Sequence, residues 1–492
     1  MNPKIHDLRS ALEALKEFPG EVMQTDTPVN AEAELSGVYR HIGAGGTVQR
    51  PTQLGPAVLF NQVAGFPGAR VLIGLFSSRQ RVARLLGVRP DRLAHALRDA
   101  LEHPIDPVVV PGDQAPCQQV VHRSTDPGFD LRRLVPAPTN TPEDAGPYLT
   151  LGHCYASDPE TGESDITIHR LCVQGPDTMT MFLTPGARHI EVFRQKAEAA
   201  GRPLPITVSI GIDPAISLAT SFEPPSTPLG FDELRVAGAL RGAAVDLVQG
   251  VSVDERAVAH AEFVIEGELL PGVRMAEDQN TGTGKAMPEF PGYTGPAVRD
   301  LPVIRVKAVT HRRHPILQTC IGPSEEHVSL AGIPTEASIL QAIDRAMPGR
   351  LVNVYAHSSG GGKYLAILQF RKGQASDEGR QRQAALIALT AFPELKHVIV
   401  VDEDVDPFDT NDVLWALNTR YQGDIDTLFL PGVRCHPLDP SESPAYNPSL
   451  RDTGLSCKTI FDCTVPWALK GDFVRTRFLE VDPRRFPLRP LD

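Results

Sequence analysis

The chain has 492 residues, a formal net charge of −12, 41% hydrophobic and 22% charged residues. That is room for about two to four domains of ordinary globular composition, which excludes extensive disorder. The acidic balance argues against nucleic acid or an anionic membrane as the main partner, since both need a basic face. With 41 glycines, 45 prolines and no collagen-like period, the chain should consist of short elements joined by many tight turns, and 6% aromatic residues leave an aliphatic core.

The opening MNPKIHDLRSALEAL is a charged amphipathic helix pattern with no apolar h-region, so it does not read as a signal peptide. No window approaches the roughly 18 apolar residues that a membrane helix needs. The seven cysteines are scattered and contain no C-x-x-C pair, which predicts buried free thiols in a reducing cytoplasm.

In chain order, residues 6–17 carry Leu8, Leu12 and Leu15 at helical spacing, and 80–102 read as two helices around Pro90. The proline-rich PIDPVVVPGDQAPCQ marks a boundary near residue 115. From 118 to 320 strand patterns dominate (ITIHRLCVQ, PITVSIGID, AEFVIEGELL, PVIRVKAVTH, PILQTC), which predicts a barrel or sandwich. Helices at 189–201 and over FDELRVAGALRG interrupt them. The C-terminal third alternates: a helix capped by Thr335, strands LVNVY and YLAILQF, a long helix from about Ser376, strand HVIVV and helix NDVLWALNTRY. That order predicts a small α/β domain, with a tail after 425 wrapping over another surface.

Three tempting motifs fail. Gly360-Gly361-Gly362-Lys363 lacks the first glycine and the following Ser or Thr of a Walker A loop, because His357 and Tyr364 stand there. Gly43, Gly45 and Gly46 lack the third glycine of a dinucleotide fingerprint. Asp402, Asp404 and Asp406 imitate an EF-hand, but Pro407 takes the required glycine position and no closing Glu follows.

Three places put polar groups on otherwise apolar elements. In DITIHR, Asp165, Thr167 and His169 share one strand face and Arg170 lies on the other. Arg188-His189 opens a helix, a natural seat for an anion. Glu233 opens another. An Asp, a His and a Glu brought together would suit manganese or magnesium beside a phosphate, although each also has an ordinary reading as a turn or helix-end residue. Glu289 sits in the stiff loop MPEFPGY, where burial would raise its pKa into the working range of an acid or base. His327, Lys363 and His436 are further candidates, each in an apparent loop.

Together DITIHRLCVQ, ARHIEVF, DELRVAGALRG, AEFVIEGELLPG, MPEFPGY and VDEDVDPFDTNDVLWALNTR resemble the UbiD family of reversible decarboxylases that use prenylated FMN. AELSGVYRHIGAGGTV, LVPAPTNTPEDAGP and SCKTIFDCTVPWALK resemble its AroY-type protocatechuate (3,4-dihydroxybenzoate) decarboxylases. The resemblance implies a mixed α+β chain: an N-terminal α/β domain (1–115), a central split β-barrel that binds the flavin (116–325), and a C-terminal α/β oligomerisation domain (326–492). It implies a divalent ion, Mn2+ or Mg2+, on Asp165, His189 and Glu233, with Asp165 replacing the family's Asn, and a K+ ion nearby. Thr167, Ile168, His169, Arg170, Arg188, His189 and Glu233 would contact the cofactor.

The family's catalytic Arg and first Glu fall on Arg170 and Glu289, while Thr294 stands where the second Glu is expected. His327, Lys363 and His436 would take over that role. The implied reaction is decarboxylation of a hydroxylated aromatic acid, foremost protocatechuate to catechol, with release of CO2 through a quinonoid-type flavin adduct. Gallate, 4-hydroxybenzoate or a furan or pyrrole acid fits the same framework, and a non-catalytic flavin carrier or assembly subunit is the alternative of another class. A flavin prenyltransferase would supply the cofactor, and a homo-oligomer, dimer or hexamer, is expected.

Overall fold

The computed structural model describes residues 5–183, 189–446 and 454–489. Its centre is one antiparallel sheet that closes on itself. Going round, Phe263–Met275 pairs Leu204–Ile210, then come Tyr148–Ser157, Ser164–Val173, Thr178–Met181 and Leu301–His311, which returns to Phe263–Met275. Val120–Arg123 adds to the outside of Leu301–His311. The sequence pattern left barrel and sandwich open, and the structure is a closed barrel. Two register shifts bend Phe263–Met275, one of them between Glu266 and Gly267. A Cβ on Gly267 would lie 2.7 Å from Ile304 Cγ2 and 2.8 Å from Arg305 O, so the bend requires glycine. Leu171, Met179, Val208, Ile265 and Ile304 belong to one continuous core.

The N-terminal sheet runs Val22–Thr25, Ala57–Phe60, Arg70–Ile73 and Ile316–Thr319. Its last strand is the PILQTC segment, which the sequence pattern groups with the barrel strands. It instead lies parallel to Arg70–Ile73, so the chain leaves the barrel and returns to the first sheet before entering the C-terminal third.

That third has a five-stranded sheet in the order Leu351–Ala356, Leu365–Phe370, His397–Asp402, Leu455–Cys463, Thr427–Arg434. The tail after 425 is therefore more than a wrapping segment, because it contributes two of these strands. Thr335 caps nothing. It lies inside a single helix, Glu325–Ala346, whose N-cap position is Ser324. The helix runs through Pro334 because Ile333, Ala337, Leu340 and Ile343 are buried along its length. Thr335 Oγ1 donates to Ala331 O at 2.8 Å. His327 consequently sits in the first turn of a helix and not in a loop. The aspartate run closes a strand and caps the next helix: Arg420 pairs with Asp402 and Asp404, and Asp409 accepts from Asn411 N.

The seven cysteines are free and all but Cys457 are buried. Among the described residues no helix is long and apolar enough to cross a membrane.

The helix bearing His327 is anchored by its neighbour. Glu326 is fully buried and accepts from Gly74 N at 2.7 Å and Phe76 N at 3.2 Å, tying the helix start to the N-terminal sheet. Glu326→Ala leaves two buried N–H groups without partners and should lower stability by about 2–4 kcal/mol, while Glu326→Gln, which keeps an acceptor, should cost clearly less. Urea-melting midpoints of the three proteins read this ordering, and an equal midpoint for Ala and Gln would contradict it.

Candidate active site

A cavity of about 210 Å³ opens where the barrel, the hairpin loop after Lys285–Pro288 and the C-terminal sheet meet. On the barrel side it is lined by Ile168, His169, Arg170 and Phe182. On the opposite side stand His327, Lys363 and His436, and Glu289 and Phe290 reach in from the hairpin. Groups more than 250 residues apart thus face one space.

Arg170 projects from Ser164–Val173 with its guanidinium over the Phe182 ring, 4.1 Å from the centroid. It is bracketed by two acids. Nη1 donates to Glu289 Oε1, while Nε and Nη2 donate to Glu277 at 3.1 and 3.2 Å. Glu277 is 1% exposed and also accepts from Tyr148 OH at 3.0 Å and Val298 N at 3.1 Å. Burial raises the Glu289 pKa and the Arg170 charge only partly offsets it, with Glu277 adding to the rise. The sequence reading missed Glu277: in MAEDQN it looks like a solvated turn acid, and only barrel closure carries it behind Arg170. Thr294, by contrast, is exposed on the hairpin, paired in register with Pro288, and takes no part.

On the opposite wall Phe290 is the common neighbour. Its ring lies 5.6 Å from His327, 4.8 Å from His436 and 5.9 Å from Lys363 Nζ. Burial, then the Lys363 and His436 charges, push the His327 pKa down to about 3, so this ring stays neutral. Lys363 Nζ donates to Glu394 at 2.6 Å.

Asp165, His189 and Glu233 come together as a second cluster. One possible ligand atom from each lies within 4.8 Å of the others, and all three side chains are buried. Asp165 comes from a barrel strand, His189 begins the helix His189–Ala199, and Glu233 takes the N-cap position of Leu234–Arg241. Asp165 Oδ2, Thr167 Oγ1, His189 Nε2 and Glu233 Oε2 find no hydrogen-bond partner among the described residues. Burial, reinforced by the Asp165 charge, holds the Glu233 pKa well above the usual carboxylate range. Two carboxyls and an imidazole with unmet polar atoms, out of water, fit a hard divalent ion such as Mn2+ or Mg2+.

The structure thus gathers the candidates of the sequence reading into two groups. Asp165, Thr167, His189 and Glu233 form the cation cluster; Ile168, His169, Arg170, Glu289, His327, Lys363 and His436 line the cavity. His169 Nδ1 is fixed by Phe182 O at 3.0 Å. Arg188 lies outside the described residues. Besides Glu277, the sequence reading missed Phe290 and Glu394. Phe290 was discoverable as the one aromatic beside Glu289, whereas Glu394 carried no signal.

Comparison with known proteins places the chain in a family. Three family models match consecutively: the 3-octaprenyl-4-hydroxybenzoate carboxy-lyase N-terminal domain at residues 13–101, the Rift-related domain at 108–325 and the C-terminal domain at 328–463. The chain is 54% identical over 476 residues to gallate decarboxylase of Lactiplantibacillus plantarum, covering 96% of this chain and 97% of that protein. The structure of apo 3,4-dihydroxybenzoic acid decarboxylase from Enterobacter cloacae superposes with a TM-score of 0.94 at 62% identity, covering 98% of this chain and 99% of the other. The UbiD-class enzyme HmfF from Pelotomaculum thermopropionicum, in complex with FMN, superposes with a TM-score of 0.85 at 34% identity, covering 98% and 100%. The chain belongs to the UbiD family and is a carboxy-lyase.

Proposed function

We propose that the protein decarboxylates a hydroxylated benzoate, 3,4-dihydroxybenzoate to catechol and CO2 before others, with prenylated FMN as cofactor. One observation carries the reading: a single cavity has a buried, pKa-raised carboxyl on one wall and a cluster of nitrogen groups on the other. Its support is the likeness to a dihydroxybenzoic acid decarboxylase over nearly the whole chain. The gallate decarboxylase relative favours gallate as a second reading, since one added hydroxyl is decided by few contacts.

The divalent ion would sit on Asp165, His189 and Glu233, and there it would neutralise the cofactor's phosphate, with K+ as the accompanying cation. When bound, prenylated FMN supplies the sink for the electrons left on the ring as CO2 departs. The chain's own residues do the rest. Lys363 and His436 donate to ring oxygens and stabilise negative charge there. His327 stays neutral beside them and can accept a hydrogen bond. Glu289, carrying its proton because it is buried, delivers it to the ring carbon that lost the carboxylate. Arg170 holds Glu289 in place, and Glu277 holds Arg170. A non-catalytic flavin carrier would have no use for a proton donor facing such a cavity.

The decisive experiment is a panel of hydroxybenzoates and heteroaromatic acids assayed on protein made with and without a flavin prenyltransferase. Turnover of 3,4-dihydroxybenzoate only in the co-expressed sample is expected; bound flavin with every hydroxybenzoate inert would refute the substrate class. Glu289→Gln, which keeps the hydrogen bond but not the proton, should lower kcat by about 100-fold or more with flavin content unchanged. Because Glu289 must be protonated to act and its pKa is raised, kcat should fall as pH rises through that pKa, and this alkaline limb should vanish in Glu289→Gln. Removal of one carboxylate from the cation cluster, by Asp165→Ala or Glu233→Ala, should abolish stoichiometric manganese by elemental analysis; full retention of the metal would displace the ion from this cluster.

A further inference from the structure

The turn after the helix Arg380–Ala391 brings Phe392 into the cavity wall and places Glu394 just behind it. Glu394 Oε2 accepts from Lys363 Nζ at 2.6 Å, and Oε1 stands 3.5 Å from His436 Nε2. One carboxylate therefore touches both nitrogen groups from the side away from the cavity. The turn itself is fixed by other contacts. Lys458 Nζ donates to Pro393 O, Cys435 Sγ lies 3.7 Å from Glu394 O, and Leu395 is fully buried. Its location follows from the C-terminal fold and does not depend on a ligand.

The hydrogen bonding of His436 adds a second constraint. Leu438 N–H donates to its Nδ1 at 3.1 Å, so that nitrogen carries no proton and the neutral ring holds its proton on Nε2. The ring's one N–H is therefore on Nε2, and its 3.5 Å separation from Glu394 is a charge–dipole contact, too long for a full hydrogen bond. Lys363 is a donor by chemistry, and the carboxylate beside it favours its charged form. Glu223, which lines the cavity itself, is a second and more distant acid, 3.8 Å from Lys363 Nζ. Lys363 is hydrogen-bonded to one oxygen of Glu394 and the His436 Nε2–H stands beside the other, which sets two donors side by side, the arrangement that two adjacent ring oxygens require.

We propose that Glu394 is a positioning residue, which holds Lys363 and His436 side by side as donors to the vicinal oxygens of a dihydroxylated benzoate. This deepens the reading above and rests on it for the substrate. Without the carboxylate charge, Lys363 turns elsewhere in the wall and the His436 Nε2–H loses the negative group that steers it, so the vicinal diol loses its advantage over a single hydroxyl.

The test uses flavin-loaded enzyme as wild type, Glu394→Gln and Glu394→Asp. In Glu394→Gln the KM for 3,4-dihydroxybenzoate should rise about tenfold with a smaller change in kcat, the loss of one charge-assisted hydrogen bond. The preference for that acid over 4-hydroxybenzoate should shrink by the same factor, and Glu394→Asp should recover part of both. Labelling of Lys363 by an amine-directed reagent at pH 8, read by mass spectrometry, should increase several-fold in Glu394→Gln because less of the side chain is held as ammonium. This readout needs no substrate. Unchanged labelling and an unchanged preference overturn the proposal. Raised labelling in a protein whose wild type ignores every hydroxybenzoate overturns the function proposed above and leaves the hold of Glu394 on Lys363 standing.

Discussion

The site depends on a buried guanidinium held between two carboxylates that are unequally satisfied. A charge such as that of Arg170 is costly to take out of water unless it is paired and its remaining protons are bonded. Glu277 meets that requirement with both oxygens: each receives a bond from Arg170 and one further donor, Tyr148 OH or Val298 N. Glu289 receives Arg170 on one oxygen and otherwise faces the cavity. The asymmetry separates two chemically identical side chains into a fully bonded anchor and a carboxyl whose pKa burial raises.

Barrel closure makes this bracket possible. Glu277 follows the bent strand Phe263–Met275, Arg170 comes from Ser164–Val173, and Tyr148 begins the strand beside it. In an open sheet the end of the last strand would have no reason to approach the middle ones. The opposite wall has a separate origin: the glycine turn before Lys363, the loop after Thr427–Arg434 carrying His436, and the first turn of Glu325–Ala346 carrying His327. The proposed proton donor thus belongs to the barrel side and the groups proposed to meet ring oxygens to the C-terminal side, so a ligand held by both would bridge two independently built parts of the chain.

What the sequence made legible follows the same division. Polar residues at fixed spacing on an apolar strand, such as Asp165, Thr167 and His169, identify themselves, because nothing but a ligand or a partner excuses their burial. Helices with caps and strands with alternating burial were readable for local reasons, and so were the failed motifs. The errors are non-local. Pro334 is a helix breaker by local rule, but tertiary burial of Ile333 and Ala337 overrides it. The late strands Thr427–Arg434 and Leu455–Cys463 are separated by a Pro- and Ser-rich stretch, which hides their pairing. Glu277 and Glu394 have ordinary turn neighbourhoods, and their importance exists only in the distances that folding creates.

One strand links the two centres. Asp165 and Arg170 are five residues apart on Ser164–Val173 and point to opposite faces, one into the cation cluster and one into the cavity. Extended backbone separates them by about 16 Å along the strand. Tyr148–Ser157 pairs with this stretch from Ser164 to His169, and Thr178–Met181 pairs with Leu171–Val173 just beyond it, so the strand ladder sets the separation. A cluster that suits positive charge and a wall that presents a fixed guanidinium therefore stand at a set spacing, which suits the proposed cofactor, anionic at one end and planar at the other. Moving either centre by one residue would turn its side chain to the wrong face, which would tie the position of the proposed cation to that of the proposed reacting ring.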